Sequence, residues 1–343
     1  MGHPIELGLD TFGDVSSQPD GTPTPMPQVL RDLVEQAALA DRVGVDFFNV
    51  GEHHRDDFAV TAPEVLLAAI ASRTQRLRLG TAVTVLSSDD AVRVYERFAT
   101  LDALSQGRAE LTVGRGSFIE SFPLFGFDLK DYERLFEEKL DLLAALLTEQ
   151  PVTWQGSIRP PLKAQAVYPK TAGGRIRAWV GVGGTPESVV RAAHYGLPLV
   201  MAIIGGAAAR FAPLADLYRR ALLDQGRPLQ PIAIHSPGFV ADSDEAAVEA
   251  LWPHHRALVT RIGRERGWPP PSRASFEAEV KQGALHVGSP ETVAQKMAAS
   301  MKALGATRFQ LKYTSGPVPH EALLRCIELY GTQVLPRVRE LLA

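Results

Sequence analysis

Short apolar runs alternate with longer segments whose apolar residues recur at helical spacing, and this alternation covers most of the chain. Runs this rich in valine, isoleucine and leucine are typical of parallel strands that helices bury on both faces. Helices are predicted between them, among others at 27–44, 90–105 and 131–147. The pattern predicts eight strands, which are IELGLD, DFFNV, LRLGTAVTVL, AELTV, RAWVGVG, LPLVMAII, PIAIHSPGFVA and RFQLKYT. The chain is therefore expected to be of the α/β class.

Eight strand-then-helix units close most simply into a (β/α)8 TIM barrel, with insertions at the barrel mouth. We expect a single barrel domain over residues 1–343, because no low-complexity linker marks a boundary. An irregular stretch containing VTWQG, RPP and VYPK interrupts the alternation after the fourth unit. A doubly wound open sheet is the alternative, since periodicity alone does not separate the two arrangements.

The composition of the chain argues against several classes of protein. The chain has 36 basic and 39 acidic residues, so it lacks the charge excess expected of a nucleic-acid-binding protein. No apolar stretch reaches membrane-spanning length, and the start MGHPIELGLDTFG has no signal-peptide pattern, so we expect a cytoplasmic protein. The single cysteine, Cys326, is expected to be a buried thiol, which excludes a disulfide framework and a cysteine metal cluster.

Charged and imidazole side chains follow the second predicted strand, in GEHHRDD. Loops after barrel strands carry the catalytic groups of this fold, and imidazole moves protons near neutral pH. His53 and His54 are therefore candidate acid–base residues, with Glu52 as a tuning partner. Adjacent residues at a strand end point in opposite directions, which argues against one metal bound by both histidines. A surface or structural histidine pair is the other interpretation.

Two glycine-bearing segments could bind an anion. In LTVGRGSF, glycines flank Arg115 directly after the fourth strand, and a guanidinium fork suits phosphate. In WVGVGGTPESVV, the fifth strand turns through Gly183 and Gly184 into a helix, whose free amides suit an anion together with the hydroxyls of Thr185 and Ser188. Each segment could equally be a tight turn, but together they could hold one phosphate monoester.

The third predicted strand contains small residues in GTAVTVL. Gly80 and Ala82 would let a flat ring approach the strand backbone. A tightly packed barrel strand would show the same pattern, so the residues alone leave both interpretations open.

These segments, together with LDALSQGRAELTVGRG, SFPLFGFD and VGSPETVAQKM, closely resemble the bacterial luciferase-like, flavin-dependent monooxygenases over nearly the whole chain. The resemblance implies the eightfold barrel and an enzyme that uses reduced FMN and dioxygen to oxygenate a small organic molecule, such as a carbonyl compound. The sequence has no nicotinamide-binding fingerprint, so a separate reductase is expected to supply the reduced FMN. Family members pair through the helices PEVLLAAIASRT and AVRVYERFATLDAL, which implies a homodimer.

By the same resemblance, His53 matches the family's essential active-site histidine, with His54 beside it and Glu52 in support. The implied cofactor-binding residues are Arg115, Gly183, Gly184, Thr185 and Ser188 at the flavin phosphate, and Ala82 and Val83 at the ring, where family members carry a non-prolyl cis peptide. The segment from Trp252 to Gln282 corresponds roughly to a mobile lid. No metal ligands are expected.

Some residues differ from those of the luciferase catalytic subunit, and other functions are alternatives to a monooxygenase. The luciferase catalytic subunit has a reactive cysteine and an aromatic hydroxyl where this chain has Gly114 and Phe118, so light emission is not expected. A deazaflavin-dependent dehydrogenase on the same barrel is an alternative. Two other classes are a flavin-binding protein without turnover and a metal-dependent hydrolase that uses the histidines.

Overall fold

The computed structural model describes residues 4–343, and helices alternate with strands along this range. The strands are β1 (Glu6–Thr11), β2 (Phe47–Val50), β3 (Arg78–Thr81), β4 (Thr84–Val85), β5 (Glu110–Gly114), β6 (Val152–Trp154), β7 (Leu162–Gln165), β8 (Arg177–Val182), β9 (Leu199–Ala202), β10 (Ile232–Val240), β11 (His286–Gly288) and β12 (Arg308–Lys312). The helices are α1 (Met26–Arg42), α2 (Pro63–Ala71), α3 (Ala91–Leu104), α4 (Ser121–Leu124), α5 (Tyr132–Leu146), α6 (Pro186–Tyr195), α7 (Ala212–Asp224), α8 (Asp244–Arg266), α9 (Arg273–Gln282), α10 (Pro290–Leu304), α11 (His320–Leu329) and α12 (Leu335–Leu342).

The principal sheet is parallel, and its strands follow the order β3-β2-β1-β12-β10-β9-β8-β5-β4. β3 and β4 are successive parts of one predicted strand. A bridge between Leu79 and Ala109 joins β3 to the start of β5, and the Thr81 hydroxyl donates to the carbonyl of Thr112 over 2.9 Å. These contacts bring the two edges of the sheet together. The predicted eight-stranded barrel is confirmed, and the open doubly wound alternative is wrong.

Insertions depart from the regular alternation in two places. The irregular stretch after the fourth unit contains an antiparallel pair of strands, β6 and β7. Between β10 and β11 lie the long helix α8 and the shorter α9, and the segment compared with a lid covers α9 and the part of α8 from Trp252 onward. Cys326 is buried, as expected. No helix within residues 4–343 has the length and apolar character needed to cross a membrane.

A cluster of charged side chains fills the amino-terminal end of the barrel. The Arg308 guanidinium is buried, pairs with Glu110 and Glu6, and lies 3.4 Å from the centre of the Phe47 ring. Arg177 also pairs with Glu6 over 2.8 Å. Burial would raise the pKa of Glu6, but its hydrogen bonds and ion pairs with the two guanidinium groups lower it to about 2. Charges at this end of a barrel usually contribute to stability rather than to catalysis.

The positions of these clustered charges also identify the side chains that face the barrel mouth. Strand side chains alternate between faces, so residues four positions after the clustered charges also face inward. These residues are Asp10, Gly114, Gly181 and Lys312. The floor of the mouth is therefore made of glycine on the β5–β8 side and of charged groups on the β1–β12 side.

Candidate active site

The predicted site segments lie at one rim of the barrel. Glu52, His53 and His54 follow β2, Val83 lies between β3 and β4, and Arg115 follows β5. The turn that contains Gly183, Gly184 and Thr185 follows β8. Because these strands are parallel, their carboxyl ends meet at the same edge, which is where TIM-barrel enzymes hold their catalytic groups.

His53 lies in an aromatic enclosure. Its side chain is 9% exposed, and the centroids of the Phe12, Phe58 and Phe118 rings lie 4.9, 4.7 and 4.6 Å from that of its own ring. Nδ1 of His53 lies 3.2 Å from Oε1 of Glu120. A carboxylate at Nδ1 favours the Nδ1–H form of a neutral imidazole and leaves Nε2 for a ligand. The surroundings thus orient the ring and restrict access of water to it.

Glu120 is a site residue that the sequence analysis missed. Burial would raise the pKa of its carboxyl, but hydrogen bonds, chiefly from His53, hold that pKa below its ordinary value. The carboxylate also accepts from the backbone N–H of His54. A glutamate in GSFIES has no distinguishing pattern, so only the path of the chain after Arg115 brings it to His53.

His54 points away from His53 and has a different carboxylate partner. Its Nε2 lies 3.7 Å from Oε2 of Glu52, and its ring meets the edge of Phe125 at 4.9 Å. The other oxygen of Glu52 accepts from the backbone N–H of Val85. Glu52 therefore joins the β2 loop to β4 and lies with His54, whereas Glu120 supports His53. His54 and Phe125 line a cleft of about 570 Å³.

The peptide bond between Ala82 and Val83 is cis. The Val83 side chain packs onto two strands: a Cβ atom built on Gly114 or Gly181 would lie 2.7 or 3.0 Å from its methyl carbons. Larger residues at either glycine would displace Val83. This side of the mouth consequently keeps a low floor, as a flat ring lying on the strands would require.

Arg115 is engaged by a carboxylate. Its guanidinium forms an ion pair with Glu133 and lies 5.4 Å from the centre of the Tyr132 ring. Arg191 on α6 contacts the same glutamate over 3.2 Å and also reaches Glu137 over 2.9 Å. Glu133 thus bridges Arg115 to α6, the helix whose start was predicted to bind an anion. A phosphate bound by Arg115 would compete with Glu133 for the guanidinium.

The turn before α6 is a capped helix start. The Thr185 side chain accepts from the N–H of Ser188, and the Ser188 hydroxyl donates to the Thr185 carbonyl over 2.7 Å. Ser188 is buried and commits its proton to the helix, so Thr185 and the amides near Gly183 and Gly184 are the better anion donors. Gly184 has φ +100°, a backbone conformation that favours glycine.

The end of α8 is tied to the loop that carries His53. Glu265 receives two hydrogen bonds from Arg55, over 2.6 and 2.7 Å. Arg266 donates to the Ser117 carbonyl over 2.9 Å. The guanidinium carbons of Arg55 and Arg266 lie 4.8 and 4.9 Å from the centre of the Phe118 ring, whose edge meets His53. Part of the lid segment is therefore linked to the His53 enclosure by ion pairs.

A second histidine–carboxylate pair, not predicted from the sequence, lies inside the mouth. His235 on β10 faces Asp10 on β1, with 3.3 Å between Nδ1 and Oδ2. Neither residue lies in a recognisable motif, and only the closure of the barrel places them together. Within the described range, 4–343, no group of three or more histidine, cysteine, aspartate or glutamate side chains is arranged to hold a metal ion.

Comparison with known sequences identifies the family. Residues 10–308 match the family described as luciferase-like monooxygenase. The chain therefore belongs to the luciferase-like monooxygenases, whose members are flavin-dependent oxidoreductases, and the resemblance seen in the sequence is confirmed. The 4-hydroxyprotoasukamycin monooxygenase of Streptomyces nodosus subsp. asukaensis is 29% identical over 331 residues, which cover 90% of this chain and 86% of that protein.

Solved structures with the same fold bind two kinds of cofactor. The oxygenating constituent of 3,6-diketocamphane monooxygenase of Pseudomonas putida, a type II Baeyer-Villiger monooxygenase in complex with FMN, matches with a TM-score of 0.78 and 18% identity over 98% of this chain and 99% of that one. An F420-dependent secondary alcohol dehydrogenase, in complex with an F420–acetone adduct, matches with a TM-score of 0.75 and 20% identity over 98% and 100%. At these identities the likeness establishes the fold alone.

Proposed function

We propose that the protein is a monooxygenase that binds reduced FMN at the barrel mouth and uses dioxygen to oxygenate a small organic molecule, such as a carbonyl compound. The observation that carries the proposal is the enclosure of His53 by three aromatic rings, with its Nδ1 held by Glu120. In the net reaction, one oxygen atom enters the substrate and the other leaves as water, with the two hydrogens that the reduced flavin supplies.

The residues at the mouth fit FMN. The phosphate would be held by Arg115, Thr185 and the free amides of the turn at Gly183 and Gly184, since a helix start and a guanidinium both favour an anion. The ring would lie on Ala82 and Val83, above the glycine side of the floor. Ser188 would contribute through the backbone that it fixes rather than through its hydroxyl proton.

His53 would exchange a proton at Nε2 with the reacting oxygen or with the substrate. Glu120 keeps the Nδ1 side of the ring occupied, and Phe12, Phe58 and Phe118 exclude stray water. His54 and Glu52 would hold the loop and β4 in position. Reduced FMN, when bound, would supply two of the four electrons that reduce dioxygen, and the substrate would supply the other two as it is oxygenated.

The proposal includes two partners. A separate reductase would supply reduced FMN, because the sequence has no nicotinamide fingerprint. A second copy of the chain would cover α2 and α3, where Val65 and Leu104 are 72% and 66% exposed. Light scattering tests the dimer, and a monomeric mass at micromolar concentration would contradict it.

A deazaflavin-dependent oxidoreductase is the second candidate, and the F420-dependent structural relatives favour it. In that reaction His53 would handle a proton during hydride transfer, and dioxygen would not be consumed. Titration with each cofactor separates the candidates: a monooxygenase of the proposed kind should bind FMN in preference to F420, whereas a deazaflavin enzyme should bind F420 in preference to FMN.

The role of His53 is tested by His53→Ala. We expect FMN affinity to stay nearly unchanged and turnover with reduced FMN and dioxygen to fall by about a hundredfold or more, because a positioned acid–base group contributes at least that much. His194→Ala on the exposed face of α6 is the control. Unchanged reoxidation and unchanged oxygenation in His53→Ala would remove His53 from the mechanism.

A further inference from the structure

A second histidine–carboxylate pair lies inside the barrel mouth, outside the group of residues assigned above. The Asp10 side chain is completely buried, and within residues 4–343 neither of its oxygens has a hydrogen-bond partner that meets strict geometry. Nδ1 of His235 is 3.3 Å from Oδ2 of Asp10. A carboxylate removed from water needs a donor, and the imidazole N–H of His235 is placed to supply one.

The Asp10 carboxylate, 3.3 Å from Nδ1, favours one of the two neutral forms of the His235 ring. A neutral imidazole has one donor nitrogen and one acceptor nitrogen. An ionised carboxylate only accepts, so the proton belongs at Nδ1, and Nε2 keeps a free lone pair. The His235 side chain retains 9% exposure while Asp10 retains none, so the ring is the part of the pair that a ligand can reach.

The pair lies beside the proposed reaction centre. His235 stacks on Phe12, with centroids 6.3 Å apart and planes 21° apart. The same phenyl ring meets His53 at 4.9 Å, almost perpendicular to it. His235 also pairs with Ala202, the last residue of β9, which places it level with the carboxyl end of that strand. Phe12 therefore separates two imidazoles, each with a carboxylate at Nδ1.

Neighbouring polar groups are already committed. The Lys312 ammonium lies 4.8 Å from the centre of the Phe12 ring, but it donates to Asp14 and to the Thr314 carbonyl. The Lys312 ammonium is therefore held by other residues of the protein and is not available to a ligand. Within residues 4–343, Nε2 of His235 has no hydrogen-bond partner, so this acceptor nitrogen is left for a ligand.

A buried structural histidine in the same protein shows the contrast. His286 is completely buried; its Nδ1 lies 2.9 Å from the Ala284 carbonyl and its Nε2 lies 3.3 Å from the Ser300 hydroxyl. Both of its ring nitrogens are satisfied by the fold. His235 has a carboxylate on one side only and a site at the barrel mouth, which is the arrangement of a working acid–base pair.

We propose that His235, with Asp10 as its positioning residue, accepts a hydrogen bond from a hydroxyl group of the substrate. The substrate class is then a small molecule that carries an alcohol, phenol or enol O–H. This inference rests on the proposed oxygenase function and narrows its substrate. The two imidazoles have different roles. His53 exchanges a proton with the reacting oxygen at the flavin, and His235, on the other side of Phe12, binds the substrate hydroxyl.

The positioning role of Asp10 is tested without flavin. Protein labelled with ¹⁵N-histidine is compared with Asp10→Asn and His235→Gln by long-range ¹H–¹⁵N correlation, and the signal lost in His235→Gln assigns His235. We expect the Nδ1–H form in the wild type and a shift toward Nε2–H in Asp10→Asn, with the His286 signals unchanged as an internal check on folding. The same form in both proteins would overturn the role of Asp10.

The substrate class is tested with FMN-loaded protein and matched probes, namely phenol and cyclohexanol against their methyl ethers. We expect the alcohols to move the Nε2 resonance of His235 and to bind about fivefold more tightly than the ethers, the value of one hydrogen bond. His235→Gln should reduce that preference. Equal effects of alcohols and ethers, or none, would overturn the inference. Failure of FMN to bind would instead contradict the proposed function, while the flavin-free measurement would still decide the Asp10 pair.

Discussion

The carboxylate of Glu120 lies 3.2 Å from Nδ1 of His53, although 67 residues separate them in the chain. Glu120 comes from the segment just before α4, and His53 comes from the loop after β2. The contact fixes one nitrogen of a buried imidazole and directs the other toward the mouth. The chemistry proposed for this site requires that Nδ1 of His53 is held by Glu120 and that Nε2 is available for proton transfer.

Replacing Glu120 with glutamine should remove the negative charge at Nδ1 but keep the shape of the side chain. We expect oxygenation to fall about tenfold to hundredfold, as with partners that orient a functional histidine, while FMN affinity stays the same. Steady-state turnover and FMN titration measure the two effects. Glu321→Gln, an exposed glutamate in the first turn of α11, is a matched control. A parallel loss of FMN binding would mean that Glu120 holds the fold rather than the ring.

Arg115 and Glu133 should have opposite effects on the cofactor. Arg115→Ala removes the proposed phosphate ligand, and we expect FMN binding to weaken about tenfold to hundredfold, since a hydrogen bond to a charged group contributes about 1.5 to 3 kcal/mol. Glu133→Gln should tighten binding, because it frees the guanidinium from its ion pair. Fluorescence titration with FMN measures both. Weaker binding in Glu133→Gln would show that the carboxylate supports the site.

The ion pair between Arg55 and Glu265 should keep the α8 end closed over the His53 enclosure. The Arg55 side chain is 11% exposed and that of Glu265 45%, so screening by salt limits the pair to about 1 kcal/mol. We expect Glu265→Gln to release up to about fivefold more hydrogen peroxide during turnover, as water enters the site. Glu291→Gln, which breaks an exposed pair with Arg337, is the control. Equal peroxide release from both variants would contradict a closing role.

Glu6 should make stability sensitive to acid. Its pKa is lowered from 4.5 to about 2 because Arg177 and Arg308 outweigh the effect of burial. A depressed folded-state pKa contributes stability above pH 4.5, and this contribution is lost as the pH falls toward 2. We expect Glu6→Gln to flatten the fall in melting temperature across this window. The same slope in both proteins would show that other carboxylates control acid unfolding.

Much of the fold could be predicted from apolar spacing, because strands buried on both faces and amphipathic helices leave different periods in the sequence. The eight strands are found where they were predicted, and the helix predicted at 27–44 is found at Met26–Arg42. The antiparallel pair β6 and β7 was not predicted. It is short and half exposed, so its sequence carries no strong period.

The candidate site was only partly predictable. Loops after strands can be recognised in the sequence, which is how His53 and Arg115 were found. Partners such as Glu120, Glu133 and Asp10 come from distant segments, and only the closure of the barrel brings them near. Arg115 shows the limit most clearly: its type and position suggest a phosphate ligand, but its ion pair with Glu133 appears only in three dimensions.

The most direct test of the central claim is an equilibrium titration of the wild-type protein and Arg115→Ala with FMN, riboflavin and F420. Riboflavin lacks the phosphate, so the comparison isolates the anion site from the ring site. We predict that the wild type binds FMN about tenfold to hundredfold more tightly than riboflavin, and that Arg115→Ala removes most of this difference. Equal affinity for FMN and riboflavin, or binding of F420 without binding of FMN, would contradict the account.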